Sequence, residues 1–171
     1  EKEGQEIHYF ENHYCNILYG VYYLKTEDRE YRTLIIGGAY SVDKYYRLKN
    51  NLLWWEDEQL SDKEKVDAEM LIRQTNKHFD LVLSHTCPYS LRPVDKFLSV
   101  VDQSTVDTSM EKWLETIKDM ITYDVWLMGH YHVDRFVNKH NIFYFNCIDP
   151  LEDIFLWHDK MDDTVNNIDR I

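Results

Sequence analysis

Asp124-Val-Trp-Leu-Met-Gly-His-Tyr-His132 is the stretch from which the rest of the chain is read. It is a short apolar run, then a glycine, then two histidines one residue apart. An apolar run closed by glycine is how a buried strand leaves a sheet. Gly129 permits a tight turn or a close approach of another group to the backbone. His130 and His132, two apart, share a face if the segment is extended, and neutral imidazole is the commonest side-chain metal ligand. On spacing alone, a ligand pair and two polar residues of an exposed loop stand level.

A second exit changes the balance. Asp80-Leu-Val-Leu-Ser-His-Thr-Cys-Pro88 also runs from an apolar strand into a loop, and it delivers His85. Two strands that each end in histidine point to a shared site at one edge of a sheet, where open α/β sheets place their clefts. Between them, Thr108-x-x-Glu111 reads as a capping box. Trp113, Leu114, Ile117, Met120 and Ile121 follow helical spacing, so strand, helix and strand form a βαβ unit. The polar, irregular stretch from Pro88 to about Asp107 is long enough to be a functional loop.

Ser-His-Thr-Cys-Pro, followed after a helix by Gly-His-Tyr-His, resembles the calcineurin-like metallophosphoesterase family. Gly37-Gly-Ala-Tyr-Ser-Val-Asp-Lys-Tyr-Tyr-Arg-Leu48 is similar to a segment of bacterial members. The resemblance runs from about Ile7 to about Asp149. It implies an α/β fold, a sandwich of mixed β-sheets flanked by helices, and metal-dependent hydrolysis of phosphomonoesters or phosphodiesters by a two-metal-activated water. It gives His85 and His130 to one metal and His132 to the other. Manganese, iron or zinc each suit imidazole with carboxylate oxygen. The phosphoester is the implied substrate.

The same resemblance exposes what is missing. The family's early Asp-x-His and its bridging aspartate in Gly-Asp-x-x-Asp have no counterpart here. Its Gly-Asn-His-Glu motif is matched only poorly by Glu11-Asn-His-Tyr14, which reads better as a turn before a strand. No catalytic residue is identified in this chain. The expectation is therefore a C-terminal portion of the domain over residues 1–157, apparently lacking the N-terminal part, with an acidic, mobile tail over 158–171. The remainder would come from a further segment, a partner chain or a homodimer, or the chain is a remnant without chemistry. Three neutral imidazoles do not balance two adjacent divalent ions, so one ion at most is expected on this chain alone.

The remaining elements fall into place around that site. Tyr14–Leu18, Val21–Leu24 and Arg32–Ile36 read as strands of a meander, with Gly20 at a turn and Glu27–Glu30 at a hairpin tip. Lys44 and Arg47, after the Gly37-Gly38 pair, are candidate phosphate-binding cations. Trp54-Trp55 reads as a plug at a core edge. Ser61-x-x-Glu64 opens a helix to about Asn76. Arg135–Val137 and Ile142–Asn146 read as an antiparallel pair, and Ile154–Trp157 as a last strand or amphipathic patch.

Nineteen basic against thirty-one acidic residues give a net charge of −12, which argues against direct nucleic-acid binding. It leaves open an inactive, metallophosphoesterase-derived acidic protein that inhibits a nucleic-acid-binding partner. Three scattered cysteines, Cys15, Cys87 and Cys147, make neither a disulfide framework nor a thiolate cluster, and a cytoplasmic setting is expected. No apolar run reaches the length of a membrane span.

Overall fold

The computed structural model describes residues 19–170 except 56, 98, 100 and 101. The readings made for Asn12-His13, the strand at Tyr14–Leu18 and Cys15 lie outside the described residues. The fold is mixed α/β, built on one seven-stranded sheet.

Two strands, β1 (Tyr19–Lys25) and β2 (Glu30–Ile36), form an antiparallel hairpin whose register runs from Tyr19 opposite Ile36 to Lys25 opposite Glu30. Parallel to β2 lies β3 (His78–Ser84), and parallel to β3 lies β4 (Thr122–Met128), with Ser84 opposite Met128. The chain then turns through β5 (Arg135–Asn138) into β6 (Asn141–Phe143), which pairs parallel to β4, while a two-residue β7 (Ile168–Asp169) pairs antiparallel to β5. The spatial order is β1-β2-β3-β4-β6-β5-β7. Because β2, β3, β4 and β6 run the same way, four strand exits gather at one edge: Gly37, His85, Gly129 and Tyr144.

A parallel sheet must be covered on both faces. Four α-helices are seen among the described residues: α1 (Lys44–Lys49), α2 (Asp62–Arg73), α3 (Ser109–Met120) and α4 (Leu151–Lys160). On one face, Ile72 of α2 and Met110, Leu114 and Ile117 of α3 pack with Leu34, Ile36, Phe79, Val82 and Trp126. On the other, Ile154 and Phe155 of α4 meet Tyr31, Leu81, Val125 and Ile142. Trp126 is fully buried, and its indole N–H donates to Ser84 Oγ at 2.7 Å, so the largest core side chain also ties β4 to β3. No helix among the described residues is long and apolar enough to cross a membrane.

Several expectations change. Gly20 sits inside β1 opposite Ile35, not at a turn; a β-carbon there would lie 2.5 Å from the Tyr22 ring, so the glycine makes room for that ring. The Ser61–Glu64 capping box forms as read, but the helix it opens ends at Arg73. The second box does not form: Thr108 makes no side-chain cap. Asp107 Oδ1 instead accepts the Ser109 N–H at 2.8 Å, because Glu111 is drawn inward by Thr86. Ile154–Trp157 is helical. Pro150 precedes the helix, Glu152 and Asp153 occupy its first turn, and His158 and Lys160 its last, each suited to the helix dipole. The boundary expected after Trp157 therefore falls inside α4. The tail beyond it returns to the sheet as β7, and Arg170 pairs with Asp149. Trp55 does not plug the core; it is 59% exposed, while Trp54 is partly covered under Lys44.

Candidate metal centre

The exits of β2, β3, β4 and β6 are stitched together by the backbone. The His85 N–H donates to Ile36 O at 3.2 Å, Gly129 N–H to His85 O at 2.9 Å, and Tyr144 N–H to Met128 O at 2.8 Å. A β-carbon at Gly129 would come within 3.4 Å of the His85 carbonyl, so the glycine allows the two histidine-bearing loops to touch. The next residues are strained. His130 has φ +69° and His132 φ +54°, a region that costs a non-glycine residue about 1–2 kcal/mol. Tyr131 N–H donates across His130 to Gly129 O at 2.8 Å, a one-residue turn of the rare positive-φ kind. Strain of this sort concentrates at ligand-holding and catalytic positions.

The side chains converge in part. The His85 and His130 rings lie edge to face with centroids 5.3 Å apart. An ion about 2.0–2.1 Å from a ring nitrogen sits about 3 Å from that ring's centroid. Two imidazoles sharing a tetrahedral ion would thus have centroids about 5 Å apart. His132 is solvent-exposed and stacks on Phe145, with centroids 4.5 Å apart. No side-chain hydrogen bond occupies any of the three rings among the described residues. Desolvation, then the neighbouring His85 and His132, pushes His130 down to about 4. His85 is open to solvent on one side, yet desolvation on its inner side and then His132 lower it too. Neutral, unpartnered imidazoles are what a divalent cation requires. The three do not close around a single point, however. The set among the described residues whose ligand atoms all approach within 4.8 Å is His78, Asp80 and Asp124, at the opposite end of β3 and β4. The histidine edge thus divides into a pair, His85 and His130, and a neighbour, His132.

Two cavities meet at His130. One, about 230 Å³, is lined by Gly38, Tyr40, Ser41, Glu58 and His85 along with His130. The other, about 190 Å³, reaches from His130 and His132 to Arg92, Phe97 and Glu111. Lys44 and Arg47 line neither. Arg47 Nε donates to Asp43 Oδ2 at 2.7 Å, and the Lys44 ammonium lies 4.2 Å from the centre of the Trp54 ring. Two cations line the second cavity with the histidines: Lys96, which pairs with Asp169, and Arg92, which has no ion pair among the described residues and lies 3.6 Å over the Tyr89 ring.

The Pro88–Asp107 stretch supplies one side of the second cavity, and its position is fixed by buried charge. Arg135, 5% exposed, forks Asp95 with two bonds of 2.8 Å and donates to Asp169 Oδ1 at 2.6 Å. That anchor holds the loop carrying Arg92 and Phe97. Arg92, Glu58 and Glu111 were not legible as site residues: Arg92 lies in the irregular stretch, Glu111 fits a helix cap, and no local pattern marks Glu58. Cys87, two residues from His85, is buried and free, and desolvation pushes its thiol far up, so it is structural and not a nucleophile. No protein-family model, no curated protein and no solved structure matches this chain.

Proposed function

We propose that this chain carries part of the site of a metal-dependent phosphoesterase. The observation that supports it most is the His85–His130 pair: neutral, without hydrogen-bond partners, at the separation a shared ion needs, at the carboxyl edge of a parallel sheet, and with His130 on strained backbone. In this reading His85 and His130 hold one divalent ion, manganese, iron or zinc, and His132 contributes to a second. Bound metal would polarise the phosphoryl oxygens and lower the pKa of a water. The chain's own residues orient that site. Gly129 keeps the two loops in register, Phe145 supports the His132 ring, and Arg92 offers a guanidinium to the phosphate.

The carboxylates that balance two ions belong, in this reading, to a further segment or partner, which would complete the two-sheet sandwich. The exposed apolar side chains of Tyr45, Tyr46, Leu53 and Trp55, on and after α1, favour such a partner. Calorimetric titration with manganese and with zinc tests the proposal. One site per chain is expected, lost in His130→Ala. Two tight sites on the 171-residue chain, or undiminished binding by the variant, overturn it. In a reconstituted complete site, His132→Ala should abolish turnover of a chromogenic phosphodiester.

A further inference from the structure

We propose that the cavity running from His130 and His132 to Glu111 takes the organic half of the phosphoester. We further propose that this half is a flat nitrogen heterocycle with an N–H donor on its edge, as in a purine nucleotide. The inference rests on the phosphoesterase reading for the phosphate end and on the cavity alone for the ring end.

The walls are mostly carbon. Tyr40, Val42, Phe97, Val106 and Tyr131 line a space of about 190 Å³, small beside the ~300–1,000 Å³ of sites for drug-sized ligands. That is room for one ring system. Phe97 and Tyr131 stand nearly parallel, 14° between their planes, with centroids 5.7 Å apart. They give the cavity a flat aromatic wall suited to a planar guest.

Polar groups enter this lining from Arg92, Lys96, Gln103, Asp107, Thr108 and the two histidines, and one more, Glu111, has an oxygen left unsatisfied among the described residues. Glu111 is 3% exposed. Its Oε1 accepts from Thr86 Oγ1 at 2.7 Å and from the Tyr131 hydroxyl at 3.4 Å. Its Oε2 is buried and has no partner among the described residues. A buried carboxylate oxygen without a donor calls for an explanation, and a ligand that supplies the donor is one. A sugar alone would leave the flat Phe97–Tyr131 wall without a planar face to stack on it. A hydrocarbon ring would leave Glu111 unsatisfied. A heterocycle edged with N–H answers both requirements. Arg92 lines the same cavity and provides positive charge toward the phosphate.

Calorimetry on the full chain with manganese, using guanosine 5′-monophosphate, ribose 5-phosphate and guanosine, tests the proposal. The mononucleotide should bind at least tenfold more tightly than ribose 5-phosphate, and Glu111→Gln should bring that ratio close to one. Phe97→Ala, at a half-buried wall position, should do the same and carries the test if the Glu111 variant fails to fold. Guanosine should bind with chelator present, which a metal-only site would not allow. If metal titration fails while guanosine still binds, the phosphoesterase reading falls and the ring site stands. Equal affinity for the mononucleotide and ribose 5-phosphate, or no guanosine binding in either condition, overturns the ring site.

Discussion

Strand β3 has a histidine at each end, His78 and His85, and the two ends of the β3–β4 pair differ in what is left over. At the amino end, His78, Asp80 and Asp124 bring candidate ligand atoms within 4.8 Å of one another, the closer cluster by distance. Its bonding capacity is largely taken. His78 Nδ1 meets Thr122 Oγ1 at 3.1 Å, Asp80 pairs with Arg29, and its other oxygen accepts the Arg32 N–H at 2.7 Å. At the carboxyl end, His85, His130 and His132 are more loosely grouped, but their rings have no hydrogen bonds and two of them sit on left-handed backbone. Proximity of ligand types therefore says less than spare capacity. A carboxylate already serving an arginine and a backbone amide loses both when it turns to a cation, whereas an idle imidazole loses nothing.

The contrast breaks most directly through metal binding. Removing an outer-shell partner typically costs about 10–100-fold in metal affinity, so removing a direct ligand should cost about 100-fold or more. His130→Ala should show that loss in a manganese or zinc titration, and His78→Ala should leave affinity within about twofold. The reverse pattern would move the metal to the amino end and remove the basis for the phosphoesterase reading.

Acid sharpens the comparison in the metal-free chain. His130 is lowered to about 4 in the fold, against about 6.5 when unfolded. Between those values the unfolded chain binds more protons. Stability from this group is thus fully present above about pH 6.5, falls as pH drops, and is gone below about 4. The shift corresponds to at most about 3 kcal/mol, and about 2 kcal/mol is expected for a ring that is only partly shielded. The readout is the gap between wild type and His130→Asn in urea unfolding with chelator present. The stability of wild type relative to His130→Asn should fall by this amount from pH 7 to pH 4. A pH-independent gap for His130 would mean its ring is not desolvated.

The parts of this molecule that were legible in the sequence are those fixed by local pattern. The apolar runs of β3 and β4, the Ser61 capping box, the β5–β6 pair and the convergence of two histidine exits all follow from periodicity and from a glycine or proline at the right place. What stayed hidden depends on partners distant in the chain. Lys44 and Arg47 looked free until Trp54 and Asp43 took them. Arg92 looked like any loop arginine until Arg135, gripping Asp95, fixed that loop beside the histidines. Glu111 fitted a capping box, and only Thr86, at the far side of a crossover, shows why it turns inward. Ile154–Trp157 misled because a four-residue apolar run carries no period of its own.

The amino end yields a stability effect without a metal effect. Asp80→Ala removes the ion pair to Arg29 and leaves the Arg32 N–H without its acceptor. A lost acceptor costs about 1–3 kcal/mol, and the partly exposed ion pair adds little, so about 1.5 kcal/mol is expected in chemical unfolding. Metal titration of this variant should match wild type.

The smallest effect has the opposite sign and bears on why the carboxyl end is strained at all. His132 is exposed, sits at φ +54° and packs mainly on Phe145. Asparagine tolerates that backbone region better than histidine does, because its short side chain can hydrogen-bond locally. His132→Asn should therefore stabilise the metal-free chain, by about 0.5 kcal/mol after the lost ring contact is subtracted. A position whose present residue is worse for the fold than a simple replacement is one where the fold yields to another requirement. If urea unfolding shows His132→Asn to be destabilising by more than about 1 kcal/mol, the ring is there for packing against Phe145, and the carboxyl end loses its claim to differ in kind from the amino end.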